Sequence, residues 1–162
     1  MTERTRNYAF IDGANLHKGI RELGWRLDYK RFRVFLHDKY HVAVAYLFLG
    51  YVPELSGLYR DLQHWGYTLI FKPTIRNADE QVKGNCDAEM VLQAMIDLSR
   101  YDRAVIVTGD GDFACLVSHL EKEGKLQQVI SPNPKKCSVL LRKIAPTKHL
   151  FLDRFKSVVE LK

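Results

Sequence analysis

Short apolar segments alternate along the chain with segments whose apolar residues recur at helical spacing. The first kind is rich in β-branched and aromatic residues and predicts strands at 8–11, 42–51, 67–71, 103–107 and 126–131. The second kind predicts helices at 15–23, 28–39, 53–66, 87–99, 112–123 and 138–144. Because the strands are apolar on both sides, helices must cover both faces of their sheet. The alternation therefore predicts an α/β fold, a three-layer sandwich around a parallel sheet.

The size and composition fit a single domain spanning residues 1–162. Apolar residues make up 46% of the chain and charged residues 27%, which is typical of a globular protein and excludes a disordered or fibrous one. The longest apolar run, 42–49, is far shorter than the ~20 residues that a membrane-spanning helix needs, and the N-terminus lacks the apolar stretch of a signal peptide. We expect a cytoplasmic protein with no membrane partner.

Cysteine spacing and net charge restrict the possible ligands. Cys86, Cys115 and Cys137 are widely spaced and form no CxxC pair, so neither a disulfide framework nor a zinc site is predicted. The chain has 25 Lys and Arg against 19 Asp and Glu, a net charge of +6. This excess favours a polyanionic partner, because lysine and arginine gain affinity by neutralising phosphates. The same charges would also suit an ordinary solvated surface.

Four aspartates map to one edge of the predicted sheet. Asp12 follows the first strand, Asp110 and Asp112 follow the fourth, and Asp87 begins the helix that leads into the fourth. In the usual doubly wound order these two strands are neighbours where the strand order reverses, so Asp12 and Asp110 should emerge side by side. Carboxylates placed together need a cation, and oxygen ligands without Cys or His suit Mg²⁺ or Mn²⁺. The pattern predicts a divalent metal site.

Each aspartate taken singly also has a structural explanation. Asp87 and Asp112 stand at helix starts, where an aspartate caps free N–H groups, and Asp12-Gly13 could form a turn. Capping does not explain two carboxylates in the sequence GDGD at 109–112, nor their coincidence with Asp12 at the point of strand reversal. The combination favours the metal site.

Three motifs carry a resemblance to a known family: FIDGANL at 10–16, KGNCD at 83–87 and VTGDGDF at 107–113. Together they resemble the NYN domain, specifically its LabA-like branch within the PIN-like nuclease superfamily. The resemblance spans residues 8–131 and has all three motifs in the expected order. It implies a parallel sheet of strand order 3-2-1-4-5, an acidic site that depends on Mg²⁺ or Mn²⁺, and hydrolysis of RNA phosphodiesters.

Roles for individual residues follow from the resemblance. It implies that the metal ligands and catalytic residues are Asp12, Asp87, Asp110 and Asp112, the last directly or through water. Asn15 and Thr108 would orient water or phosphate, and Lys83 would contact the scissile phosphate. Lys83 lies in the polar segment 73–86, which lacks periodicity and predicts an exposed, mobile loop.

The resemblance departs at Gln93, where many relatives carry a further acidic residue. This departure implies one metal ion held tightly and a second held weakly. The expected mechanism is attack on phosphorus by water that the ion has activated, without a covalent intermediate. His17, the histidine nearest to a motif, receives no catalytic role, because nothing in the sequence resembles a Ser/His/Asp or Cys/His arrangement.

Two other functions stay open at this point. The first is an RNA-binding regulatory module of the same fold that cleaves weakly or not at all. The second is a phosphohydrolase that acts on a small molecule with the same carboxylates; the net charge of +6 slightly favours a polymer. We also expect a homodimer, formed through an exposed helix face or through the apolar segment 150–161.

Overall fold

The computed structural model describes residues 4–73, 75–76, 82–83 and 86–162. The strands are β1 (Asn7–Asp12), β2 (Val42–Tyr51), β3 (Tyr67–Pro73), β4 (Ile75–Arg76), β5 (Val82–Lys83), β6 (Ala104–Val107), β7 (Leu126–Ser131) and β8 (His149–Phe151). The helices are α1 (Gly13–Glu22), α2 (Tyr29–Tyr40), α3 (Ser56–His64), α4 (Asp87–Ile96), α5 (Ala114–Lys122), α6 (Val139–Ile144) and α7 (Lys156–Val159).

Six strands form one sheet in the order β3-β2-β1-β6-β7-β8, and all of its pairs are parallel. Numbered within this sheet alone, the order is 3-2-1-4-5-6, so the predicted α/β class and the predicted order 3-2-1-4-5 are confirmed. The sixth strand, β8, adds an edge that the sequence did not predict, because three residues are too short to show a periodicity. The strand order reverses between β1 and β6, which are direct neighbours.

The two faces of the sheet carry separate hydrophobic cores because side chains alternate along each strand. In β1, Ala9 and Ile11 join a core with α1, α2, α3 and α7, whereas Tyr8 and Phe10 join a core with α4, α5 and α6. This arrangement is the predicted three-layer sandwich. In the described part of the chain, no helix is both long enough and apolar enough to cross a bilayer.

The segment 73–86 differs from the predicted loop. Its strands β4 and β5 pair antiparallel, with Ile75 opposite Lys83 and Arg76 opposite Val82, so the prediction of a segment without regular structure was wrong for these four residues. Strands of two residues leave no periodic signal in a polar sequence. The Lys83 side chain and the residues between the two strands lie outside the described part of the structure.

The segment 150–161 packs largely into its own chain. Leu152 and Val159 are fully buried in the first core, and the Trp25 indole N–H donates a hydrogen bond of 3.0 Å to Asp153. Val158 and Leu161 remain exposed. Most apolar residues of this segment, which was predicted as a dimer contact, therefore pack against the rest of the same chain.

Candidate metal centre

Three aspartates meet at the carboxyl edge of the sheet. One carboxylate oxygen from each of Asp12, Asp87 and Asp110 lies within 4.8 Å of the other two, and all three side chains are half-buried. Asp12 ends β1, Asp110 follows β6, and Asp87 is the first residue of α4. Because β1 and β6 are neighbours at the point where the strand order reverses, the topology brings together carboxylates that are distant in sequence.

Asp12 is held by a hydrogen bond to each of its carboxylate oxygens. The Asn15 backbone N–H donates to Oδ1 at 3.2 Å, so Asp12 caps α1, and the Thr108 hydroxyl donates to Oδ2 at 3.1 Å. The Thr108 oxygen in turn accepts the backbone N–H of Asp110 at 3.1 Å. One buried hydroxyl thus connects two members of the triad and fixes their relative position.

Asn15 provides a second link between α1 and the segment after β6. Its side-chain oxygen accepts the backbone N–H of Gly109 at 2.8 Å. Asp110 then begins a 3-10 turn at Gly111–Phe113, since its carboxylate accepts the backbone N–H of Asp112 at 2.9 Å. Asn15 and Thr108 therefore hold the backbone that carries Asp12 and Asp110.

Ser131, which the sequence analysis did not consider as a site residue, binds the backbone of Thr108. The Ser131 hydroxyl donates to the Thr108 carbonyl at 2.8 Å and also lies 2.8 Å from Nε2 of His149 on β8. Ser131 ends β7, so its contact with Thr108 depends on strand pairing and leaves no signal in the local sequence.

The environment of Asp12 opposes its negative charge. The pKa of Asp12 is raised from 3.8 to about 6, and burial is the largest cause. The hydrogen bonds from Asn15 and Thr108 lower the pKa, and the neighbouring charges of Asp87 and Asp110 raise it. A bound cation would neutralise this cluster, and carboxylate oxygens are the ligands that Mg²⁺ and Mn²⁺ prefer.

Asp112 lies apart from this triad. Its side chain is exposed, and it does not belong to the group of carboxylates within 4.8 Å of one another. Its backbone N–H donates to Asp110 at 2.9 Å, and its carbonyl accepts the Cys115 thiol at 3.8 Å. The role of Asp112 as a ligand, directly or through water, and the role of Lys83 at the phosphate stay predictions.

Gln93 takes part in a different network. Its amide donates at 2.9 Å to Asp97, a fully buried carboxylate that also accepts the Tyr46 hydroxyl at 2.7 Å and the Arg100 guanidinium at 3.2 Å. An acidic side chain could not donate this bond when ionised. The amide at position 93 therefore satisfies a buried charge within the second core.

Comparison with known proteins decides the family. A model of the NYN domain family matches residues 7–153, nearly the whole chain. The chain is a member of the NYN domain family. This NYN domain is 26% identical over 163 residues to the "Low amplitude and bright protein LabA" of Synechococcus elongatus, which covers 93% of the chain and 86% of that protein.

A solved structure shows the same fold as this NYN domain. The crystal structure of a protein of unknown function from Vibrio parahaemolyticus superposes with a TM-score of 0.81 at 23% identity, and the match covers 99% of each chain. At this identity the likeness concerns the fold alone. NYN domains have a PIN-like nuclease fold, and in this one the acidic triad lies at the carboxyl edge of the sheet.

Proposed function

We propose that this NYN domain is a metal-dependent ribonuclease that hydrolyses RNA phosphodiester bonds. One observation carries the proposal: Asp12, Asp87 and Asp110, from three separate elements, present carboxylate oxygens within 4.8 Å of one another. Three half-buried carboxylates this close together repel one another, and a bound cation would relieve that repulsion. Membership of the NYN family and the net charge of +6 support RNA as the polyanionic substrate.

The donor set fits Mg²⁺ or Mn²⁺. The triad offers oxygen ligands only, which suits hard divalent cations. Such an ion, when bound, stabilises charge at the phosphoryl group and lowers the pKa of coordinated water. The three aspartates would hold the ion, and the raised pKa of Asp12 would fall on binding.

The surrounding residues would position the substrate. Thr108 and Asn15 hold the backbone at Gly109 and Asp110 in place by hydrogen bonds. A phosphate at the triad would therefore bind beside groups whose positions are already fixed. The exposed Asp112 would act through water, since its carboxylate stands outside the triad. Lys83 would contact the phosphate from the segment between β3 and α4.

The decisive experiment compares cleavage of a labelled single-stranded RNA by the wild-type protein and by the double variant Asp12→Asn, Asp110→Asn. We expect cleavage with Mn²⁺ or Mg²⁺, none with EDTA, and a loss of at least about 100-fold in the variant, because two of three ligands become neutral. The readout is the initial rate of product formation at saturating metal.

A matched control removes the same charge elsewhere. Asp38 and Asp61 are exposed residues on α2 and α3, so the double variant Asp38→Asn, Asp61→Asn should cleave at the wild-type rate. RNA binding without metal-dependent cleavage would contradict the nuclease and leave the RNA-binding regulatory module. Hydrolysis of small phosphate esters without any effect on RNA would support the phosphohydrolase instead.

A further inference from the structure

A cleft of about 240 Å³ adjoins the acidic triad on the α1 side. Its walls are α1, the backbone after β6 and the loop that follows β7, and the residues that matter here are Asn15, Lys18, Glu22, Gly109, Asn133 and Lys136. Asn15 belongs to both sites, because its backbone N–H donates to Asp12 and the residue also lines the cleft. A strand of substrate that passes over the triad can therefore continue into the cleft.

The cleft has a fixed framework. Gly19 lets the loop after β7 approach α1, since a Cβ at this position would lie 2.7 Å from Cγ of Pro132. Asn133, only 4% exposed, holds the loop in a turn: its side-chain oxygen accepts the N–H of Lys135 at 2.9 Å and its carbonyl accepts that of Lys136 at 3.2 Å. These contacts preorganise the wall on which Lys136 stands.

The polar groups left over in the cleft are mainly donors. The side-chain oxygens of Asn15 and Asn133 are occupied by the N–H groups of Gly109 and Lys135. Neither amide nitrogen donates a hydrogen bond to any described residue. Lys18 and Lys136 are exposed and form no ion pair within the described part of the chain.

The positions along α1 give the cleft a direction. Asn15, Lys18 and Glu22 lie on one face of the helix, and Glu22 is about 10 Å from Asn15 at ~1.5 Å per residue. Asn15 therefore stands at the end next to the triad, Lys18 follows one turn along the helix, and the carboxylate of Glu22 stands at the far end. An anion is favoured more strongly near Asn15 and Lys18 than near Glu22.

We infer that this cleft binds the phosphate of the nucleotide next to the scissile bond, between Lys18 and Lys136 and within reach of the amides of Asn15 and Asn133. The inference rests on the proposed function, because it assumes that RNA occupies the triad. A phosphate accepts hydrogen bonds without donating any and carries negative charge, so it complements two cations and two amide donors. The cleft would then set the direction in which the strand crosses the centre.

The test removes both lysines and measures RNA binding at several salt concentrations. The double variant Lys18→Gln, Lys136→Gln should bind a short single-stranded RNA about tenfold more weakly at low salt. The slope of log affinity against log salt should also become shallower by about one, because a phosphate contact is lost. Both lysines are exposed, so the unfolding midpoint should not change.

The matched control is Lys39→Gln, Lys122→Gln, which removes the same charge. Both lysines are exposed and lie near the ends of α2 and α5, at the opposite edge of the sheet where β2 and β7 begin, so this variant should retain wild-type affinity and slope. NMR spectroscopy gives a second readout. Addition of RNA to the wild type should shift the side-chain ¹⁵N–¹H resonances of Asn15 and Asn133.

The outcomes separate this inference from the proposed nuclease activity. A wild type that cleaves RNA, together with a lysine variant whose affinity and slope are unchanged, overturns the subsite and leaves the nuclease standing. A wild type that binds RNA without cleaving it, with the predicted loss in the variant, supports the subsite and contradicts the nuclease. A wild type that neither binds nor cleaves RNA overturns both.

Discussion

Asp12 combines a structural role with the proposed ligand role in one side chain. Its two oxygens accept hydrogen bonds from Asn15 and Thr108, which fix the start of α1 and the register of the backbone after β6. The position of Asp12 after a strand was readable from sequence, and so was that of Asp110. The contact through Thr108 was not, because it joins residues 96 positions apart.

The raised pKa of Asp12 predicts how the stability of the metal-free protein depends on pH. The folded state keeps this proton up to about pH 6, whereas the unfolded chain releases it near pH 4. The folded state thus binds more protons in this window, so the free energy of unfolding should fall as pH rises from about 4 to about 6, by up to about 3 kcal/mol from this group.

Urea unfolding in EDTA across this pH range measures the effect. The Asp12→Asn variant cannot titrate at this position, so its stability relative to the wild type should increase with pH and then level off above about pH 6. The matched control is Asp61→Asn, which removes an exposed carboxylate on α3 and should show no pH-dependent difference in stability from the wild type. A difference between Asp12→Asn and the wild type that does not change with pH would contradict the prediction.

At the scale of elements, the junction of β1 and α1 determines where the first carboxylate stands. α1 begins at Gly13, directly after the strand, and a Cβ there would lie 2.5 Å from Cδ2 of Leu49 and 2.6 Å from the carbonyl oxygen of Phe48. Only glycine lets the helix start so close to β2. The sequence placed the helix start at residue 15, since its periodicity begins with Leu16.

Gly13→Ala should therefore destabilise the protein by about 1–3 kcal/mol, because the overlap involves rigid backbone as well as a side chain. It should also reduce metal-dependent cleavage, since relief of the overlap displaces Asp12. Gly57→Ala is the matched control: nothing lies within 4 Å of its Cβ position on α3, and alanine should stabilise this helix by about 0.5–1 kcal/mol. Urea unfolding measures both changes, and equal effects of the two substitutions would contradict this account.

Long elements were predictable and short ones were not. Burial on one or both faces imposes a periodicity on the apolar residues of a long element. This periodicity is present in β1, β2, β3, β6 and β7 and in the six longer helices. The pair β4 and β5 and the edge strand β8 have two or three residues each, so pairing with neighbours defines them. The triad was predictable because it depends on strand order, whereas the cleft depends on a loop conformation.

At the scale of the whole molecule, self-association stays a prediction from the sequence. The segment 150–161 contributes Leu152 and Val159 to the core, while α4 leaves Leu92, Met95 and Ile96 exposed at helical spacing. We expect the sedimentation coefficient to rise with protein concentration as a dimer forms. A monomer at the highest concentration measured would contradict the prediction.

The link from β8 through Ser131 to Thr108 has a consequence for synthesis on the ribosome. Thr108 fixes Asp12 and Asp110, and Ser131 and His149 support it from strands made much later. A growing polypeptide has Asp12 outside the exit tunnel long before the residues that position it have been translated. The centre is thus complete only late in translation, after β7 and β8 have been synthesised and paired with the sheet.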